Sequence, residues 1–197
     1  MRIYFDVGAH DGLTSIPLIR SGEFDYCYAF EINPRSLQEL KSNIAKFKLE
    51  DKYTVIEKAV SSQKGNMSFY VFNKSNVGSL FKPTKGTLEK RFKDFGGYNT
   101  IEVEVTTLES VCTVYDVKQI DFLHTDTQGN DYEVLKGLGN YIKIVRAGEV
   151  EVMNNDALYE HVTNSDHACR TFLEENGFTV TTPRRTGEYD LKFTREK

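Results

Sequence analysis

Two acids and two glycines close to the amino terminus carry the first chemical signal. The stretch "YFDVGAHDG" (Tyr4 to Gly12) ends an apolar run in Asp6, then sets Gly8 and Gly12 four positions apart. A glycine turn after a strand commonly cradles a phosphate on its backbone amides, but Asp6 and Asp11 would repel one. In a dinucleotide fingerprint a glycine at the second position lets the backbone approach a pyrophosphate. His10 stands there instead. Glu31 follows 23 positions after Gly8, about where the second strand of such a fold offers an acid to both hydroxyls of a ribose. These features together ask for a nucleoside that carries positive charge and lacks phosphate. S-adenosylmethionine, with its sulfonium, ammonium and ribose, meets that description.

Other side chains could serve a reaction at the same rim. His10 and His124 lie near predicted strand ends, where an imidazole can take a hydroxyl proton near neutral pH; a hydrogen-bonded structural role is the alternative for each. Asp126 follows an apolar run and is either a helix cap or a ligand contact. Of Glu149 and Glu151 one is expected to face the cleft, and the position relative to Leu158 and Tyr159 favours Glu151. Asp126 with Asp131 or Glu151 has the oxygen chemistry of a magnesium site, although Asp131 is expected on the helix that leaves the site, and no metal is assigned.

The elements that must hold these groups alternate. Strands are expected at Ile3 to Val7, Tyr26 to Ile32, Tyr53 to Val60, Met67 to Phe72, Ile101 to Val105, Ile120 to Thr125 and within Ile142 to Met153. Helical spacing appears from Thr14 to Ile19, from Pro34 through Leu37, Leu40, Ile44 and Phe47, from Tyr132 to Leu138 and from Asp166 to Asn176. A hairpin from Phe178 to Phe193 closes the chain. This order predicts an α/β fold: a doubly wound, mostly parallel seven-strand sheet with an antiparallel last strand, Rossmann-like in layout. Residues 1–197 read as one domain with a lid-like insertion at about 73–100.

Composition narrows the classes. The chain is 39% hydrophobic and 27% charged, ordinary for a soluble globular protein. A net charge of −4 gives no general attraction to nucleic acid or anionic membrane, so neither is expected as a partner. No apolar stretch spans a bilayer, and a strand pattern starting at Ile3 leaves no room for a signal peptide. Cys27, Cys112 and Cys169 are widely spaced and fit buried thiols of a cytoplasmic protein. The insertion reverses the overall sign: Lys74, Lys82, Lys85, Lys90, Arg91 and Lys93 stand against Glu89 and Asp94. It reads either as a solvated face or, with Arg184 and Arg185 in the closing hairpin, as a lid that recruits an anionic acceptor.

The motifs "FDVGAHDGLTS", "YAFEINP", "EKAVSSQKG", "VTTLES" and "IDFLHTDTQGNDYEVLKGL" resemble, in order, those of the FkbM-type S-adenosylmethionine-dependent methyltransferases. The resemblance runs from about Ile3 to Tyr159. It implies methyl transfer, commonly to a hydroxyl oxygen of a sugar, glycan or small metabolite. It also implies that Asp6, Gly8 and Gly12 shape the methionine pocket, that Glu31 holds the ribose and that Ile32 and Ala59 flank the adenine. Ala9, His10 and Asn33 join that cofactor set as neighbours. Asp126 would face the methionine end or the acceptor, with Asp126, His124 and Glu151 as the catalytic candidates. The family's commoner "KIDVEGAE" is "HTDTQGND" here, so His124 and Gln128 depart from the pattern on the acceptor side. Three rival readings are a nicotinamide-dependent oxidoreductase, against which His10 and Asp6 count, a non-catalytic nucleoside-binding domain of the same fold, and a nucleic-acid methyltransferase, whose aromatic Asn/Asp-Pro-Pro base pocket the sequence lacks.

Overall fold

The computed structural model describes residues 1–74, 76–90, 92–154, 158–162 and 164–195, with the backbone alone at 90 and 154. The first strand, β1 (Ile3–Val7), is buried along its whole length, and period-two alternation divides its side chains between two cores. Ile3, Phe5 and Val7 join one apolar cluster. Tyr4 joins another, with Ile16 and Ile19 of α1 (Ser15–Arg20) and Cys27 and Ala29 of β2 (Tyr26–Phe30). Helix α2 (Pro34–Lys46) starts as its sequence dictates: Asn33 caps it by accepting from Arg35 N at 3.1 Å, and Pro34 supplies a preset first turn. Its Leu40 and Ile44 pack on the Tyr4 side.

The strand expected from Tyr53 to Val60 is two strands. β3 (Tyr53–Ile56) pairs with β2, whereas β4 (Ala59–Val60) leaves the main sheet for a second, smaller one. That sheet also contains β5 (Gly65–Phe72), β6 (Gly78–Ser79) and β7 (Tyr98–Thr106), in the order β4-β7-β5-β6. It was not foreseen, since local alternation cannot say which sheet a strand joins. Between β6 and β7 lies the short helix α3 (Lys85–Lys90), near the amphipathic piece expected at Leu88 to Phe95. Helix α4 (Leu108–Val114), capped by Thr107 through Ser110 N at 3.2 Å, was also unforeseen.

The rest alternates as expected: β8 (Phe122–Thr125), α5 (Asp131–Lys136), β9 (Ala147–Asn154), α6 (Asp166–Glu175), β10 (Thr179–Val180) and β11 (Gly187–Thr194). The main sheet has seven strands in the order β10-β11-β9-β8-β1-β2-β3, with β11 antiparallel to both neighbours. Leu108 and Val111 of α4, Val134 and Leu135 of α5, and Cys169 and Leu173 of α6 pack in the cluster of Phe5. Helices therefore cover both faces of an α/β sheet. Because β1 pairs with β2 on one side and with β8 on the other, chain order reverses there. Ligands of open α/β sheets bind at the carboxyl ends of the strands at such a reversal. Among the described residues no helix is long and apolar enough to cross a membrane.

Candidate functional site

A cavity of about 200 Å³ opens at that reversal. Its floor is the turn after β1. Gly8 has a φ of +85°, and a Cβ there would lie 2.0 Å from the Asp126 carbonyl oxygen, so the loops after β1 and β8 meet at a distance only glycine permits. Gly8 N and Ala9 N both donate to Phe30 O at 3.0 Å, which ties the turn to the end of β2.

The acid at that end is pre-organised. Glu31 Oε1 accepts from Ile32 N and Asn33 N, and Oε2 from His10 N, each at 2.7 Å. Glu31 is 8% exposed. Burial raises its pKa above the ordinary glutamate range, although the three backbone bonds pull it down. Hydrogen bonds to an ionised carboxylate are the strong kind, and here they fix the group's plane at the cleft edge.

Of the expected cofactor residues, Gly8, His10, Glu31, Ile32, Asn33, Ala59 and Asp126 line the cavity, while Asp6, Ala9 and Gly12 do not. Gly12 (φ +81°) is confined by Ile16 and Leu40, so its role is the shape of the turn. Ala9 is buried in the adjoining core. Asp6 is completely buried, and its Oδ1 lies 3.0 Å from His124 Nδ1. Asp6 therefore does not line the cavity: Oδ1 faces His124, Oδ2 has no hydrogen-bond partner among the described residues, and the acids that line the cleft are Glu31 and Asp126.

The expectation of a base at His124 is corrected by the same contact. Burial lowers its pKa, but the hydrogen bond and charge of Asp6, followed by Glu149 and Asp126, outweigh burial and lift it to about 9. Its Nε2 lies 3.8 Å from Glu149 Oε1, and Glu149 Oε2 lies 3.8 Å from Lys192 Nζ. Charges of alternating sign thus cross β1, β8, β9 and β11. An imidazolium held this way has no lone pair to receive a proton at neutral pH, and His124 does not line the cavity. His10 does line it, with its backbone bound to Glu31 and its Nδ1 3.3 Å from Asp11 Oδ1.

One of Glu149 and Glu151, by preference Glu151, was expected to face the cleft, and neither lines the cavity. Two positions apart on one strand, they share a face, and their β11 partners Lys192 and Asp190 share it too. Glu151 sits behind the cleft wall. Burial, then Asp126, Asp131, Glu188 and Asp190, push its pKa up to about 10, so it is protonated at neutral pH. Asp131 is fully buried, with Oδ1 accepting from Thr127 N at 2.9 Å and Oδ2 from Asn164 Nδ2 at 3.0 Å. Neither oxygen is turned toward the cleft, which removes the geometry for a metal shared with Asp126. Among the described residues no group of three His, Cys, Asp or Glu side chains could hold a metal ion.

These pKa values predict a stability profile. Native Glu151 keeps a proton that the unfolded chain releases in the ordinary glutamate range, so its contribution falls as pH rises from there toward 10. His124 acts with the same sign between about 6.5 and 9, because its native pKa is the higher one. Thermal midpoints should therefore drop between pH 6.5 and 9. In Glu151→Gln the drop should shrink to the histidine's share. An unchanged slope in that variant refutes the assignment to Glu151.

Several wall residues were not assigned to the cofactor site from the sequence. Gln128 has a φ of +56°, and Gly129 one of +103°, so the "QGN" triplet was the available signal for a tight turn. Gln128 Nε2 donates to Asp126 Oδ1 at 3.0 Å and lies 3.5 Å from Glu151 Oε2, while its Oε1 accepts from Tyr159 OH at 3.1 Å. Asn130 Nδ2 donates to Val60 O at 2.7 Å. From the smaller sheet and its approach come Phe69, Val77, Gly78 and Leu80, an apolar wall facing Ile32 and Ala59. Of the basic insertion, Lys82 lies 3.3 Å from Glu160 and Lys85 lies 3.7 Å from Glu89, while Arg184 of the hairpin lies 3.2 Å from Asp166. Arg91 and the side chain of Lys90 lie outside the described residues.

Sheet order, reversal point and the acid closing β2 together define a Rossmann-like methyltransferase fold. The crystal structure of methyltransferase FkbM from Methylobacillus flagellatus KT superimposes with a TM-score of 0.59 at 15% identity, over 98% of this chain and 43% of that one. M. capricolum TrmK, solved in complex with S-adenosyl-homocysteine, gives 0.54 at 12% identity, over 100% and 63%. The chain belongs to the methyltransferase FkbM domain family, whose model matches residues 6–180. It is 24% identical over 142 residues to the 2-O-methyltransferase NoeI of Sinorhizobium fredii, covering 68% of this chain. The chain spans 56% of NoeI's length.

Proposed function

We propose that this chain binds S-adenosylmethionine in the cleft and transfers its methyl group to a hydroxyl oxygen of a sugar, glycan or small metabolite. The observation that carries this reading is Glu31, fixed by three backbone donors at the ribose position, beside a first turn whose His10 displaces the phosphate-approach glycine. Hydroxyls suit a carboxylate whose plane is already set; Glu31 and Asp126 on the cleft would repel a pyrophosphate, and the Lys58 ammonium that also lines it is engaged by Glu104. Ile32, Ala59, Phe69 and Leu80 supply apolar faces for an adenine. S-adenosyl-homocysteine bound to TrmK, a protein of this fold, supports the same ligand class, and the name of NoeI supports a hydroxyl acceptor.

The bound cofactor supplies an electrophilic methyl on sulfur. The protein aligns an oxygen behind that methyl, excludes water and takes up the hydroxyl proton. Asp126 is assigned as base, because it lines the cleft and Gln128 orients it, whereas His124 and Glu151 already hold protons. Acids near a sulfonium favour the charged substrate over the neutral thioether product and so assist product release.

Within the insertion, the stretch 76–80 closes one side of the cofactor cleft in this reading. In support, the Asn76 carbonyl accepts from Asn33 Nδ2 at 2.8 Å, and Ser79 Oγ donates to Gln128 O at 2.7 Å. Lys82, Lys85 and Arg184 each lie beside a carboxylate, so the transfer screen carries both uncharged and anionic acceptors. A cytoplasmic setting is in keeping with three free, buried cysteines.

The test has two arms. Calorimetry should give saturable binding of S-adenosylmethionine and its demethylated product, with none of NAD. Labelled-methyl transfer across sugars, glycans and hydroxylated metabolites should then yield an acceptor. Binding of NAD alone would return the chain to the oxidoreductases; cofactor binding with no acceptor across the panel would make it a nucleoside-binding domain.

A further inference from the structure

Behind the cleft wall, Asn164 is 1% exposed and joins three parts of the fold. Its Nδ2 donates to Asp131 Oδ2 at 3.0 Å and to the Glu151 carbonyl at 2.8 Å. Its Oδ1 accepts from Tyr132 N at 2.9 Å, and its own carbonyl accepts from Met153 N at 2.9 Å. One carboxamide thus pins the first turn of α5 to β9. Asp131, which it holds, accepts from Thr127 N at 2.9 Å. Thr127 lies in the cleft wall between Asp126 and Gln128. The wall just beyond holds Gln128, a non-glycine residue, at a φ of +56°, a conformation that persists where the surroundings fix it.

We propose that Asn164 is a positioning residue for the cofactor cleft: it orients the buried Asp131 carboxylate, which fixes the Thr127 peptide from which the wall 126–130 hangs. No sequence motif marks it, because its work is in contacts with residues 131, 132, 151, 153 and 169, the last through the Cys169 thiol on its Oδ1 at 3.4 Å. The inference rests on the cofactor reading above for its functional half only.

The arrangement has a titratable centre. Burial, then the charge of Asp126, raises the Asp131 pKa to about 6, against the pull of the Thr125 hydroxyl and then of the Thr127 N–H and hydroxyl. The other ionisable groups around it are Glu151 on β9 and the Cys169 thiol on α6, with Glu188 and Asp190 of β11 acting on Glu151. A hydrogen bond to an ionised group is worth enough that losing the Asn164 donor should raise the Asp131 midpoint by about one pH unit.

The direct readout needs no ligand. In ¹H–¹⁵N spectra of the free full chain, the Thr127 amide should titrate with a midpoint near 6 in the wild type, and about one pH unit higher in Asn164→Ala. In Asp131→Asn that step should vanish, and adding Asn164→Ala to it should not restore one. Asn164→Ser, a smaller change, should shift the midpoint in the same direction if the alanine variant folds poorly. The functional readout is calorimetric binding of S-adenosylhomocysteine from pH 5 to 8.5. Asn164→Ala should bind several-fold more weakly than wild type near pH 6.5 and within about twofold of it at pH 8.5, by the same shift. A Thr127 midpoint that Asn164→Ala leaves unmoved overturns the inference. So does an affinity loss that is equal at every pH and merely follows the melting temperature. Absence of S-adenosylhomocysteine binding by the wild type defeats the cofactor reading instead, and the amide titration still decides the positioning of the wall.

Discussion

Glu31→Ala should weaken S-adenosylmethionine binding by about 10²-fold, equivalent to about 2.7 kcal/mol. Two ribose hydroxyls donating to one ionised carboxylate are charge-assisted bonds of about 1.5–3 kcal/mol each, and water compensates only part of their loss in a cleft. The alanine also strands the N–H groups of His10, Ile32 and Asn33, so the turn after β1 loses its tie to β2. Glu31→Gln separates the two effects. Its carbonyl can keep the bonds to Ile32 N and Asn33 N, but its amide must then face the His10 N–H donor against donor, and a loss of about tenfold is expected, about 1.4 kcal/mol. Because burial raises the Glu31 pKa, wild-type affinity should begin to fall on the acid side at a higher pH than an ordinary glutamate would give. Calorimetry on the three proteins from pH 4.5 to 8 measures all of this. Equal affinities in wild type and Glu31→Ala would remove the ribose contact and, with it, the basis of the cofactor assignment.

What the sequence disclosed was local. Gly8 and Glu31 announce themselves because a strand end, a forced turn and an acid 23 positions later are all read along the chain. Pro34 behind Asn33 is equally plain, since a cap and a first-turn proline are neighbours. The failures are cases in which distant residues decide. Nothing within Tyr53 to Val60 reveals that Ala59 pairs with Val105 and not with the main sheet. Asp6 and His124 are 118 positions apart, and only their hydrogen bond converts a candidate base into a fixed cation and a candidate ligand acid into its counter-ion. Asn164 and Tyr159 act on the cleft through Asp131 and Gln128, so their types carry no signal until the sheet is assembled. The smaller sheet supplies half of the apolar wall for the same reason: Phe69 and Leu80 look like core residues, and they are, until the core is seen to line a cavity.

Asp126→Asn should lower kcat by about 10²- to 10⁴-fold on whichever hydroxyl acceptor the transfer screen yields, the span typical of losing a general base. The variant preserves size and hydrogen-bonding reach, and cofactor affinity should stay within a few-fold of wild type. Three carboxylates lie together at this end of the sheet, but they are not equivalent. Asp131 is buried and satisfied from both sides, and Glu151 is protonated behind the wall. Asp126 alone of the three lines the cavity, and Gln128, itself held by Tyr159 OH, keeps its Oδ1 in place and leaves the other oxygen for a proton. If it is the base, raising the pH should partly rescue Asp126→Asn, because hydroxide-assisted loss of the acceptor proton replaces the missing carboxylate. Gln128→Ala, which frees Asp126 without removing it, should lower kcat by much less and leave the wild-type pH dependence in place. Wild-type turnover in Asp126→Asn would give the proton to His10, the imidazole lining the same cavity, and His10→Ala on the same acceptor would then show the large loss.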